Sequence, residues 1–207
     1  MTDACADCSL RESLTLKTLI IYAHPKLDSF NGAILEKVIA ELKILQAEIR
    51  VRDLYRIGFQ PVLDEDNYSE FYQTKAPADV IEEQSYLLWA EQIIFIFPTW
   101  WSGMPAILKG YIDRIFTNGF AFRMVKNGTE GLLKGKKGLI FQTTGQPEQK
   151  LKPSQLTMAM ETAIDYGIFH ICGIETVSHQ FLYSVTFSDH ETKKRMLEEI
   201  GDIIRIL

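Results

Sequence analysis

The sequence predicts a doubly wound, three-layer α/β domain on a five-stranded parallel sheet of order 2-1-3-4-5. Three observations carry this. Apolar runs without alternation, such as Ile93-Ile94-Phe95-Ile96-Phe97, suit strands buried on both faces. Stretches with helical spacing of apolar residues separate them, and β-α-β order implies a parallel sheet with right-handed crossovers. No repeat or linker divides the 207 residues, a length that folds as one domain. The order 2-1-3-4-5 is the simplest doubly wound arrangement of five strands.

Residues 1–16 read as an extension outside the fold, and 17–207 as the single domain. Cys5-x-x-Cys8 lies in the extension. It has no second pair at metal-ligand spacing, and a redox pair would open a helix beside a strand, so a mobile tail is expected. Thr18–Ala23 is the first strand. Ser29 caps a helix whose buried face is Ile34, Leu35, Val38, Ile39, Leu42 and Leu45. Glu48–Leu54 alternates as an outer strand would. Gly58–Ala78 has no period, and loops of that length are usually functional or interfacial. Asp79-x-x-Glu82 is read as a capping box opening a helix to about Ala90.

The third strand ends at Pro98, which has no N–H to donate. A loop with Thr99, Trp100, Trp101, Ser102 and Gly103 follows, then a helix begun by Pro105 and stopped by Asn118-Gly119. Asn127–Gly138 is read as a solvated turn, and its lysines as surface charge. Gly138–Thr143 is the fourth strand, Gln155–Phe169 a helix and Gly173–Tyr183 the fifth strand. Ser188-x-x-Glu191 is read as the capping box of the last helix.

A net charge of −5 and a pI of about 5.4 give no footing for nucleic acid. No apolar run approaches the roughly 20 residues of a membrane span, and the N-terminus lacks the basic start and apolar core of a secretory signal. A cytoplasmic protein without an integral membrane segment is expected. In such sheets ligands bind beyond the carboxyl ends of the strands, between strands one and three. Three loops lie there. Residues 24–31 lead into a helix N-terminus that favours a phosphate, 98–104 offer indole faces, and 143–149 offer Thr143, Thr144 and a glycine, Gly145, that lets backbone approach a ligand. Together they describe a mononucleotide with a flat ring. For Trp100 and Trp101 the structural alternative is packing in a core or interface. Dinucleotide and P-loop glycine patterns are missing, as are hydrolase motifs and metal-ligand clusters. A cofactor would therefore carry the reaction, with no catalytic acid or base and no metal expected.

Five segments in this order, Tyr22-Ala23-His24-Pro25 with Ser29-Phe30-Asn31, Asp53-Leu54-Tyr55 with Phe59 and Pro61, Phe97-Pro98-x-x-Trp101-x-x-x-Pro105 with Ile107-Leu108-Lys109, Gly119-Phe120-Ala121-Phe122, and Thr143-Thr144-Gly145, carry a resemblance. Over about Thr18 to Tyr183 the chain resembles the flavodoxin-like NAD(P)H:quinone oxidoreductases. That group includes bacterial quinone-reductase-like proteins and ancillary subunits of glutathione-gated potassium efflux systems. The resemblance implies a bound flavin. His24, Ser29, Phe30 and Asn31 would hold its phosphate-ribityl end, Pro98, Thr99, Trp100 and Trp101 with Ser102 would surround the ring, and Thr143, Thr144 and Gly145 would reach its polar edge. It also implies NAD(P)H as co-substrate, a ping-pong cycle to a quinone, azo or nitro acceptor, and a homodimer with the 58–78 loop at the interface. The long C-terminal region of the larger animal enzymes is missing, so FMN is expected over FAD. Family members with a tyrosine and a histidine after Thr-Thr-Gly stabilise charge on the flavin with them; here Gln146 or Lys150 would have to substitute. A flavodoxin-type electron carrier and a regulatory subunit of a potassium efflux transporter are the alternative functions.

Overall fold

The computed structural model describes residues 15–63 and 76–206. Cys5 and Cys8, and the middle of the 58–78 loop, lie outside the described residues. The main sheet has five parallel strands: β1 (Lys17–Tyr22), β2 (Glu48–Asp53), β3 (Gln92–Pro98), β6 (Lys137–Thr143) and β7 (Glu175–Leu182), in the order β2-β1-β3-β6-β7. This is the predicted 2-1-3-4-5 arrangement. A two-stranded antiparallel sheet, β4 (Phe122–Val125) with β5 (Gly128–Gly131), stands apart from it.

β3 shows why the central strands read as unbroken apolar runs. Ile94 and Ile96 join Ile20, Tyr22, Leu139 and Phe141 on one face, under α1 (Phe30–Ile44) and the last helix, α6 (His190–Arg205). Ile93, Phe95 and Phe97 join Leu19, Ile21 and Ile140 on the other, under α2 (Ala78–Trp89), α3 (Ala106–Ile115) and a π-helix (Thr162–His170). Side chains alternate along a strand, so two covered faces favour apolar residues at successive positions. The short helices α4 (Glu148–Leu151) and α5 (Leu156–Glu161) precede the π-helix.

Both expected capping boxes are corrected. The residue before α2 is Pro77, with no side-chain cap, and Asp79 instead pairs with Arg114, Oδ2 to Nη2, at 2.8 Å. α6 is capped by Asp189, whose carboxylate accepts from the Thr192 amide at 2.8 Å and is thereby held below the usual Asp range. Ser188 lies one residue too early and donates to the Ser184 carbonyl at 3.0 Å. The expected turn at 127–138 contains β5, which pairs with β4 as a hairpin over 122–131, closed where Val125 pairs with Gly128, whose φ of +137° suits glycine. Helix 155–169 is α-helical only to Glu161 and then widens into the π-helix. Leu45, expected in the α1 face, is the exposed C-cap. The described part of the 58–78 segment is anchored. Gln60 O accepts from Arg114 Nη1 at 2.7 Å, and a Cβ on Gly110 would stand 2.2 Å from Pro61 O. No helix among the described residues is long and apolar enough to cross a membrane.

Candidate functional site

A cavity of about 460 Å³ opens at the carboxyl edge of the sheet, between the ends of β1, β3 and β6. It is lined by His24, Ser29, Phe30, Asn31, Pro98, Thr99, Trp100, Thr143, Thr144 and Gly145, together with Val185, Thr186 and Lys193. Three loops far apart in sequence meet there because β1, β3 and β6 are adjacent and parallel. Of the twelve residues singled out from sequence, ten line the cavity. The other two, Trp101 and Ser102, do not.

The first loop is locked by its own chemistry. Ser29 Oγ accepts from the Gly32 amide at 3.1 Å, capping α1, and donates to the Lys26 carbonyl at 2.8 Å. His24 Nδ1 lies 2.7 Å from the Lys26 carbonyl oxygen and 3.1 Å from the Lys26 amide, so the ring is held through that nitrogen while His24 lines the cleft. A Cβ on Gly32 would lie 1.8 Å from the Leu27 carbonyl oxygen, so the tight entry to α1 requires glycine there. Among the described residues the amides of Phe30 and Asn31 have no partner, and they sit at the positive end of α1.

Asn31 ties this loop to the third. Its Nδ2 donates to Thr143 Oγ1 at 2.9 Å, while its Oδ1 is buried without any partner. An acceptor in that state costs desolvation free energy that a donor reaching it from the cleft would offset. At the same edge Thr144 Oγ1 accepts from the Gln146 amide at 3.1 Å, and the Thr144 amide donates to Leu182 O at 2.9 Å.

The middle loop is a tight turn. Trp100 and Gly103 exchange backbone hydrogen bonds at 2.9 and 3.1 Å around Trp101 and Ser102, whose φ values are +51° and +56°. Two successive left-handed residues make the reversed turn that glycine or asparagine usually occupies, so the backbone here is strained. The turn throws Trp101 outward, 102% exposed, while Trp100 stays against the cavity. The amides of Thr99, Trp100 and Gly103 are used within the protein, so this loop offers a ligand faces and the Thr99 hydroxyl more than amide donors.

Sequence reasoning missed Val185, Thr186 and Lys193. Val185 and Thr186 follow β7, and Lys193 is on the first turn of α6. Topology brings them over the α1 terminus, and Lys193 adds a cation where that helix offers free amides. A signal was present in the Lys193-Lys194 pair, but only the fold places it at the cleft. Beside the cavity an adjoining groove of about 440 Å³ shares Ser29, Phe30 and Lys193 and adds His190, Lys194 and Asp28. Among the described residues no cluster of three metal-ligating side chains occurs. Cys172 is buried, and burial pushes its thiol up to about 12, where it is inert.

A parallel sheet of this order with a cleft at its switch point defines a flavodoxin-like protein. A family model described as flavodoxin-like fold matches residues 16–204, and the chain belongs to that family. An NAD(P)H oxidoreductase of Haemophilus influenzae, itself uncharacterized, is 33% identical over 181 residues, covering 87% of this chain and 90% of its own length. A ribosyldihydronicotinamide dehydrogenase (quinone) of Mus musculus is 31% identical over 201 residues, covering 87% of each. The solved NAD(P)H:quinone oxidoreductase from Methanothermobacter marburgensis superposes with a TM-score of 0.84 at 26% identity, over 92% of this chain and 96% of its own.

Proposed function

We propose that the cleft binds a flavin and that the protein is an NAD(P)H-dependent oxidoreductase reducing quinones or related azo and nitro compounds. The oxidoreductase class agrees with the named relatives. The observation that carries the cofactor reading is Asn31. A buried amide oxygen without a donor, beside two free helix amides and Lys193, suits an anionic, hydroxyl-bearing chain that leads to a ring. The flavin would supply the redox chemistry, accepting hydride at N5 and passing two electrons to the acceptor.

The protein's own groups would bind and orient. The α1 terminus, His24, Ser29 and Lys193 would hold phosphate, Asn31 would accept from a ribityl hydroxyl, and Trp100 and Pro98 would wall one side of the ring. Thr99, Thr143, Thr144 and Gly145 would meet its polar edge. No side chain in the cleft is assigned as catalytic acid or base. Because one face of the ring would serve donor and acceptor in turn, ping-pong kinetics are expected. FMN is the first reading; the groove that extends the cleft past Ser29 and Lys193 toward Lys194 and His190 favours FAD as a second reading. A homodimer is proposed as well, with mass by light scattering as its test.

The experiment is a visible spectrum of the purified protein, before and after incubation with FMN and FAD, followed by anaerobic NAD(P)H titration and mass identification of the released cofactor. A flavin spectrum bleached by NAD(P)H is expected. Protein that remains colourless overturns the reading, and a flavin that NAD(P)H leaves oxidised points to an electron carrier.

A further inference from the structure

Behind the Thr99 side of the cleft runs a buried polar chain across an otherwise apolar layer. Asp165 Oδ1 lies 2.9 Å from His179 Nδ1, and His179 Nε2 lies 3.1 Å from Gln142 Oε1. Gln142 Nε2 in turn donates to Thr99 Oγ1 at 2.8 Å and to Met160 Sδ at 3.3 Å. Gln142 is 0% exposed and the His179 side chain 3%. Phe181 stacks on the imidazole, with ring centres 4.6 Å apart and planes 11° from parallel, which fixes its orientation.

Two irregularities of the fold converge on this chain. In β7 the pairing steps from Gly138 with Thr176 to Leu139 with Ser178, leaving Val177 as a bulge. Without that step His179 would pair with Phe141 and point to the opposite face; with it His179 pairs with Ile140 and shares the face of Gln142. The π-helix (Thr162–His170) supplies Asp165 from the other side. Bulges and π-helices both recur where a side chain has to be re-aimed for function.

We propose that His179, held by Asp165, is a positioning residue that fixes Gln142 so that the Thr99 hydroxyl is left as a donor aimed into the cleft. The proposal rests on the flavin reading above. Asp165 Oδ1 and Gln142 Oε1 are both acceptors, so the two contacts together require an N–H on each ring nitrogen of His179. In that form Gln142 Oε1 accepts from Nε2–H, its amide nitrogen faces Thr99, and Thr99 Oγ1 accepts. Its proton has no acceptor among the described residues, and Thr99 lines the cleft. Hydride adds two electrons and one proton, so a bound ring gains negative charge unless a second proton joins it. A donor hydroxyl therefore favours the reduced ring over the oxidised one.

The test compares the holoprotein with variants by the ratio of flavin dissociation constants in the reduced and oxidised states, obtained from an equilibrium redox titration with visible spectra. His179→Phe removes the N–H and is expected to weaken reduced relative to oxidised flavin by about tenfold. His179→Gln, which can keep a donor toward Gln142, is expected to recover most of this. Thr99→Val should give the same loss, with His179→Phe adding nothing on top. Ratios within about twofold of the wild type, or additive losses in the double variant, overturn the proposal. Should His179→Phe fail to fold, Asp165→Asn on a partly exposed carboxylate carries the test, with a shift of about threefold expected and no shift overturning it. Wild-type protein without flavin would sink the functional reading itself; bound flavin with unchanged ratios sinks only the positioning role.

Discussion

The two walls of the cleft are built in different ways. The α1 wall, from His24 to Gly32, is assembled within nine consecutive residues: Ser29 caps the helix, His24 and Lys26 brace each other, and Gly32 makes the tight entry. The opposite wall draws on Thr143, Thr144, Val185 and Lys193, which come together only through sheet pairing and a crossover, while Gln142 and His179, brought together by the bulge, back Thr99 from the other face of the sheet. The first wall is specified by local stereochemistry. The second is specified by register, where one residue of slip turns every following side chain to the other face.

The sharpest way to break the local wall is Gly32→Ala. The new Cβ would lie 1.8 Å from Leu27 O, a backbone atom that moves only if the loop reorganises. A loss of about 3 kcal/mol is expected, read from the urea midpoint, together with loss of flavin binding. An unchanged midpoint would show that the loop yields cheaply and that the wall is not locally fixed.

Asn31→Leu, where the two walls join, is expected to separate stability from binding. It deletes the bond to Thr143, worth about 1 kcal/mol, but also removes the buried Oδ1 whose unmet desolvation costs about 1–3 kcal/mol. Stability without flavin should therefore hold or rise by about 1 kcal/mol, while flavin affinity falls roughly tenfold. A stability loss with unchanged affinity would make Asn31 a structural pin.

The same division decides what was legible in the sequence. The strand order, the Ser29 cap and the three loop tips were readable, because apolar runs, caps and prolines are local signals. Lys193 and Thr186 were not, since nothing near them in the chain marks a cleft that β1, β3 and β6 create. The bulge at Val177 and the π-helix were hidden for a further reason: Gly173–Tyr183 and Gln155–Phe169 have ordinary strand and helix composition, and tertiary contacts alone select the irregular geometry. Both capping-box readings failed within two residues of the true cap. Asp79 is claimed by the Arg114 guanidinium, and Asp189 caps in place of its neighbour Ser188. The Asn127-Gly128 turn was read as solvent-exposed, but the pairing of its flanks was not read from so few apolar residues.

Lys193→Met probes the assembled wall with a smaller effect. It removes one cation from the α1 end of the cleft, so flavin affinity should fall about five- to tenfold, with a weaker dependence on salt than the wild type shows. A larger penalty for FAD than for FMN would indicate that the groove shared with Lys194 and His190 holds a second phosphate. Equal affinity in isothermal titration would remove Lys193 from the site.

The smallest effect is expected from Trp101→Gly, which tests the turn between the walls. Trp101 is 102% exposed with φ of +51°, so its side chain buries nothing in the monomer while its backbone occupies a region that costs a non-glycine residue about 1 kcal/mol. Glycine relieves that strain but enlarges the freedom of the unfolded chain by a comparable amount, leaving a net change within about 0.5 kcal/mol. Flavin affinity should stay within about twofold, because Trp100 is the indole that faces the cleft. A tenfold loss of affinity, or a dimer that dissociates, would mean that Trp101 is covered in the working protein. The cleft would then have a third wall, contributed by whatever covers it.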